Sequence, residues 1–517
     1  MSMTIDRIIK SAEKSLKFGN LEAAKAELGV GLEAYPENPR LNALSERIDN
    51  QVRVSADQAQ GLPPKIFKEL EFLVTSYQWI ILIKRCLELM PYMEGVSDLW
   101  NFLGVGQRER GFVELAEISF RRAIELNYSS HKAHSNLGNV LKDQGRFNEA
   151  IEAHNVSFEL NPADPRPLNN LGNLFEFLGE FDKAHQIFSK AVELDPNFAT
   201  AEYNLAGMEL RQKNFVSGWR RRECRWKRVD EEQELPIETS KPLWNGSFVE
   251  RLFVWAEQGV GDEIMFLSCL EQLKKQCKSL TISMTDRLIP LFEKQDNYGV
   301  RFISRSSALP DWEYDFHVPA QTALGLLRKN LKDFEQGKTP YLSANPENVR
   351  IIKSELQKVA NGRPIIGLSW FSNNAKSGKQ RSIRLEDLVA QIPEKAFLVN
   401  LQYGDMSQEI AELETTLGRG IATFGNIDNF AHLELFAALI QACDRVVSID
   451  NSTVHFAGAM GINCDVLLPY SGDWRWGMPG IVSSYWYDSL RLHWQGEPNS
   501  WAEAFKSLKK ELEPLNH

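Results

Sequence analysis

The chain has 517 residues, 43% hydrophobic and 25% charged, enough for two or three globular domains. Its 59 Lys and Arg against 69 Asp and Glu give a formal charge of −10, which argues against a nucleic-acid-binding stripe. No apolar run approaches the ~18–20 residues that span a bilayer, MSMTIDRIIK lacks a signal-peptide core, and six cysteines and nine histidines lack metal-ligand spacing. A cytoplasmic chain without metal or cofactor is expected.

In chain order, the first half repeats itself. A weak unit, KFGNLEAAKAELGVGLEAYPENP, carries Gly19, Ala24 and Pro36. The polar stretch Asn50 to Pro64, ending GLPP, predicts a break, and SYQWIILIKRCLELMP reads as a degenerate unit closing at Pro91. Three strong copies follow, with Gly104, Gly138 and Gly172 spaced 34 residues apart and Ala116, Ala150 and Ala184 in step. One helix pair of this length cannot bury its apolar face without a stacked neighbour, so the pattern predicts an all-α solenoid. It closely resembles the tetratricopeptide repeat (TPR). A last copy from Ala199 loses the template at NFVSGWRRRECRWKRVD, where Trp219 and Trp226 mark a helix expected to dock on the next domain. The Arg220–Arg222 run is expected to be a solvated or interdomain face.

Asn136, Asn170 and Asn204 recur at one repeat position, and Asn139 and Asn173 three residues later. A ladder of amides on a concave face can hydrogen-bond an acceptor protein's backbone without reading its sequence. Asparagine is also simply common at such positions, and the residues alone do not decide. The ladder resembles the one in the superhelix of O-GlcNAc transferase, which holds protein acceptors that way.

Beyond LPIETSKPLWNGSF the periodicity changes. Short apolar runs RLFVWA, LTISM, VRFIS and DFHVP form one series of strands; PIIGLSW, AFLVNLQ, IATFG, RVVSID and CDVLLP form a second. Helical patterns between them predict two Rossmann-like halves with a cleft. The expected division is 1–240 solenoid and docking helix, 241–345 acceptor-side half and 346–517 nucleotide-side half, with a crossover at Pro340–Gly362. The last helix, Trp501–Leu515, is expected to pack back on the first half.

Ligands of such sheets bind beyond the carboxyl ends of strands, near helix N-termini. Asp450 ends a strand, and Asn451, Ser452 and Thr453 are read as the next helix's first turn, a place for phosphate. Ordinary capping by Asp450 or Ser452 explains the same residues. His455 follows one turn on, where a structural histidine is common. The loop GLSWFSNNAKSGKQRSIRLEDL carries Ser369, Asn373, Lys376, Lys379, Arg381 and Ser382; Lys379 and Arg381 are the preferred pair to neutralise a diphosphate, and Lys376 is expected at the surface. Gln402 and Tyr403 are expected to line the base or ribose. In FVWAEQGVGDEIMFL, Gly259 and Gly261 permit close backbone approach, Gly261 is placed beside the acceptor, and Asp262 suits a general base, with Glu263 as the competing carboxylate. A helix-stabilising acid accounts equally for Asp262.

Taken together, GVGDEIMF, PIIGLSW with its basic loop and SIDNSTVHFAGAMG resemble the lipopolysaccharide heptosyltransferases, two-Rossmann glycosyltransferases of the GT-B fold. The resemblance implies Asp262 as base, Lys379 or Arg381 on the donor phosphate, and Asp450, Ser452, Thr453 and His455 around the donor. The added solenoid, and the tail PYSGDWRWGM with Asp473, Trp474, Arg475 and Trp476 expected to close over the sugar, resemble bacterial repeat-bearing protein glycosyltransferases, including those modifying flagellin. The implied function is inverting, metal-independent transfer from a nucleotide sugar to a Ser or Thr hydroxyl of a protein recruited by the solenoid. Two alternatives stand beside it: a lipopolysaccharide or lipid-linked acceptor, and a repeat adaptor without turnover.

Overall fold

The computed structural model describes residues 5–17, 21–45, 47–48, 61–228, 236–293, 299–335, 338, 340–374, 377–424 and 427–516. Gly19, Lys376 and most of the predicted break at Asn50–Pro64 lie outside them. Two compact units emerge: Met1–Phe175 with Asp182–Ala201, and Glu176–Phe181 with Glu202–His517.

The first unit is built of helices: α1 (Ile5–Lys17), α2 (Leu21–Ala34), α3 (Pro64–Thr75), α4 (Trp79–Met93), α5 (Ser97–Glu109), α6 (Val113–Leu126), α7 (His131–Asp143), α8 (Phe147–Leu160), α9 (Arg166–Phe177, whose end belongs to the second unit) and α10 (Phe181–Leu194). Pro91 does not close the degenerate unit. It sits inside the last turn of α4, which runs on to Met93. The 34-residue glycines are close-approach positions. A Cβ on Gly104, Gly138 or Gly172 would stand 2.7, 2.6 or 2.5 Å from the ring of Phe120, His154 or Phe188. Each first helix therefore lies directly on the aromatic ring of the second. His154 is the odd member. It is 1% exposed, and neither ring nitrogen finds a partner among the described residues.

The second unit holds two parallel sheets. In the first, β1 (Val249–Trp255), β2 (Cys277–Met284), β3 (Val300–Ser304) and β4 (Phe316–Pro319) lie in the order β3-β2-β1-β4. In the second, β5 (Ile365–Ser369), β6 (Phe397–Asn400), β7 (Ile421–Ala422), β8 (Arg445–Ile449), β9 (Cys464–Leu468) and β10 (Leu490–Trp494) lie in the order β10-β9-β8-β5-β6-β7. Counted from its own first strand, that is the 3-2-1-4-5-6 order of doubly wound dinucleotide-binding sheets, with the order reversing between β5 and β8. β10 lies outside the predicted strands, since a long irregular segment separates it from β9.

Helices α11 (Ala199–Arg211) and α12 (Phe215–Arg222) lead into this unit. Phe215 and Trp219 of α12 are buried in one core with Val254, Leu324 and Trp474, and Trp219 Nε1 donates to the Arg328 carbonyl at 2.9 Å. Of the basic run, Arg220 is exposed, but Arg222 is buried with its guanidinium 3.8 Å from the centre of the Tyr203 ring, so the run is not a uniformly solvated face. The remaining helices used below are α13 (Val260–Phe266), α14 (Pro346–Ala360), α15 (Leu433–Ala442), α16 (Ser452–Ala459) and α17 (Ala502–Leu512). Contrary to expectation, α17 packs on the second half. Its stripe Ala504, Leu508 and Leu512 shares a core with Ile366, Leu368, Val447 and Leu467 of the second sheet.

Candidate functional site

At the point where the second sheet's strand order reverses, the ends of β5 and β8 are tied by side chains. Asn451 Nδ2 donates to Ser369 Oγ at 2.8 Å. Asn451 Oδ1 accepts from the Thr453 amide at 3.0 Å, so Asn451 is the N-cap of α16 and the helix itself begins at Ser452. Neither Asp450 nor Ser452 takes that role. The far end of α16 closes as a Schellman turn, with the Ile462 amide donating to Ala457 O and that of Gly461 (φ 72°) to Gly458 O.

Gln402 departs from its expected place on a nucleotide. It is 1% exposed, and its Oε1 accepts from Ser369 Oγ (3.1 Å), the Trp370 amide (3.0 Å) and the Phe371 amide (2.9 Å). An amide saturated by its own chain shapes the loop after β5 and has no acceptor left for a ligand. Tyr403 Oη likewise accepts from the Asn373 amide at 2.8 Å, and Asn373 and Lys379 are exposed. Arg381 turns inward: Nη1 donates to the Asp450 carbonyl at 2.8 Å and lies 3.8 Å from its carboxylate.

The first sheet meets this region through the turn after β1. A Cβ on Gly261 would stand 2.9 Å from His455 Cδ2 and 3.4 Å from Ser452 Cα, so only glycine lets α13 approach α16 this closely. Asp262 comes next and accepts from Arg475 Nη1 at 2.9 Å. Its neighbour Glu263 is turned away and buried, accepting from the Thr285 amide (2.8 Å) and Oγ1 (2.6 Å) and from Arg305 Nη1 (3.0 Å). Asp262 is therefore the carboxylate that faces α16.

Arg475 joins the cluster. Its Nε donates to Asp473 Oδ1 at 2.9 Å, and Nη1 also lies 3.5 Å from His455 Nε2. Burial and the neighbouring guanidinium of Arg475 push the His455 imidazole well below its usual range, which keeps it neutral. Its Nδ1 lies 3.1 Å from Tyr487 Oη. Burial pushes the Asp450 carboxyl up, opposed by Arg381 and Arg475. Asp473 moves the other way, to about 2: burial alone would raise it, but Arg475 outweighs that. The tryptophans of the DWRW tail do not lie open to a sugar. Trp474 and Trp476 are buried, one edge-on to Trp219 with ring centres 5.4 Å apart, the other stacked on His455 at 5.6 Å. Their apolar rings serve the core, and Arg475 alone reaches Asp262.

Of the predicted residues, Asp262, Gly261, Ser452 and His455 are brought together, with Asp450, Asn451, Thr453, Ser369 and Arg381 just behind. The sequence marks Arg475 only as part of the PYSGDWRWGM tail, and nothing local in the chain marks Tyr487, 32 residues beyond the histidine it contacts. In the solenoid the amides bond one repeat to the next: Asn136 Nδ2 donates to Asn101 Oδ1 at 2.9 Å and Asn170 Nδ2 to Ser135 Oγ at 3.1 Å. Asn139, Asn173 and Asn204 are half-buried, Asn204 in the second unit.

Comparison with known proteins identifies the repeats. Residues 103–165 and 165–198 match tetratricopeptide-repeat models. Protein FlbA of Caulobacter vibrioides is 32% identical over 268 residues, 48% of this chain and 44% of that protein, so the chain spans less than half the relative's length. Among solved structures, MamA from Desulfovibrio magneticus RS-1 is 18% identical with a TM-score of 0.27, covering 32% of this chain and 93% of its own. YrrB, described as a TPR protein with an unusual peptide-binding site, is 20% identical with a TM-score of 0.23, covering 38% and 88%. Among the described residues no helix is long and apolar enough to cross a membrane.

Proposed function

We propose that the sheet unit is an inverting glycosyltransferase of the GT-B type, with 241–345 on the acceptor side and 346–517 on the nucleotide-sugar side. One observation carries the reading: the Gly261–Asp262 turn of one sheet abuts Ser452 and His455 at the amino end of α16, below the strand-order reversal of the other. In the reaction, a Ser or Thr hydroxyl of a protein acceptor gives its proton to the Asp262 carboxylate. Its oxygen forms the bond to the anomeric carbon, and the bond from that carbon to the nucleotide's phosphate oxygen breaks, its electron pair leaving with the nucleotide. The α16 dipole and the half-buried Arg475 guanidinium stabilise the leaving charge. The solenoid recruits the acceptor and raises its local concentration at the cleft.

The adaptor reading has one observation of its own, the ion pair that occupies Asp262 in this state. The full chain, mixed with ADP-, UDP-, GDP-, dTDP- and CMP-linked sugars, separates the two. Donor turnover is expected, falling ~100-fold or more in Asp262→Asn with donor binding retained. Turnover untouched by that substitution removes Asp262 from the mechanism.

A further inference from the structure

Resting on that reading, we propose that Arg475 is the donor-diphosphate ligand of the cleft, and that it takes the diphosphate by leaving Asp262. The two basic residues preferred from the sequence are differently placed. Arg381 is held on the Asp450 side, its Nη1 donating to that carbonyl and lying 3.8 Å from that carboxylate, with no hydrogen bond to Asp262 or His455 among the described residues, and Lys379 is exposed. Arg475 stands between the halves, touching Asp262 on one side and His455, one turn into α16, on the other. A guanidinium carries five N–H donors. Nε is committed to Asp473 and Nη1 to Asp262, while Nη2 has no hydrogen-bond partner among the described residues.

The segment that carries Arg475 is fixed at its backbone. Buried Arg211 donates to the carbonyls of Gly472 and Gly477, and Trp486 Nε1 donates to the Arg475 carbonyl at 2.8 Å. Only the tip of the side chain has a choice of partner. Its present partner is one monodentate carboxylate, 21% exposed, whereas a diphosphate offers more charge and a bidentate face matched to the fork. Arrival of the donor therefore draws the guanidinium away and frees Asp262 for the acceptor hydroxyl. Without donor the carboxylate stays masked, so the base is exposed only when there is a sugar to transfer.

Calorimetric titration of the full chain with ADP, UDP, GDP and dTDP tests this. The diphosphate that binds best is expected to weaken ~10-fold or more in Arg475→Gln and to recover partly in Arg475→Lys. In Asp262→Asn, where the competing charge is gone, it is expected to tighten ~3- to 10-fold, and Arg475→Gln in that background is expected to abolish the gain. A mere strut between the halves predicts the opposite for Asp262→Asn, because loosening the strut weakens binding. Equal affinity in wild type and Arg475→Gln, or weaker binding in Asp262→Asn, overturns the inference and leaves the glycosyltransferase reading standing. Failure of every diphosphate to bind wild type overturns the inference, and the glycosyltransferase reading falls with it only where the CMP-linked donor is not turned over either.

Discussion

In the solenoid, the glycine-to-ring contacts return at a fixed step along the chain; between the two sheets, Asp262 meets a partner 213 residues away. Gly104, Gly138 and Gly172 each receive an aromatic ring from the next helix of the same unit. Gly261 receives His455 from the other sheet. The same physical device, a missing Cβ that permits close approach, is repetitive in one region and solitary in the other. Repetition makes the first kind readable without coordinates. The second kind has meaning only after two sheets have folded.

The sharpest way to break this contrast is on the sheet side, at Gln402. Its carboxamide receives three donors, one from the last residue of β5 and two from the segment after it. Gln402→Leu leaves them unpaired in a buried place, each at a cost of about 1–3 kcal/mol. Hydrogen exchange of peptides covering 365–373 is expected to accelerate strongly, and diphosphate binding to fall with it, because Ser369 also anchors Asn451 at the start of α16. Unchanged exchange there shows that the amide is not what orders the loop.

Much of the architecture was legible for corresponding reasons. The TPR register, the parallel strands β1–β9 and the glycine turn before Asp262 all rest on local patterns of period 34, short apolar runs or GxG. Misreadings fall where a residue's role depends on distant partners. Gln402 and the DWRW tryptophans have the chemistry of ligand-binding residues, yet burial turns them to structural use. Asp262 and Glu263 are indistinguishable as neighbouring carboxylates until Thr285 and Arg305 claim Glu263. Helix α17 is amphipathic in sequence, but which sheet its stripe covers is a tertiary fact.

On the solenoid side the repeat has a flaw that tests the rule. His154 stands where Phe120 and Phe188 stand in the neighbouring units, buried and without a hydrogen-bond partner among the described residues. Burial, together with Lys142 and Arg108, pushes it down to about 3. The unfolded chain therefore binds a proton near pH 6.5 that the folded chain refuses until about pH 3. Stability contributed here is intact above pH 6.5 and declines as pH falls through that window, by roughly 2 kcal/mol at pH 5. His154→Phe is expected to stabilise the repeats by about 1–2 kcal/mol at neutral pH and to flatten part of the acid slope. His134, pushed down to about 4 chiefly by burial, accounts for a share of what remains. Thermal melts of both proteins at pH 7.5 and 5.0 decide; parallel acid slopes would mean His154 is not the refused proton.

The smallest effect concerns the amide ladder, and it separates two roles that look identical in sequence. Asn136 donates to Asn101 across adjacent repeats, so some of its hydrogen-bonding capacity is spent inside the solenoid. Asn136→Ala is expected to cost about 1 kcal/mol from that one bond. Its carbonyl oxygen stays available to an incoming backbone, since the donated proton belongs to Nδ2. On the proposed glycosyltransferase reading, a ladder that only staples repeats lowers the melting temperature and leaves acceptor-protein turnover unchanged once the protein is folded. A ladder that also holds the acceptor raises KM for that protein while donor hydrolysis stays constant. Measured at a temperature well below the melt, that split between KM and hydrolysis assigns the asparagines, and an unmoved KM confines them to the fold.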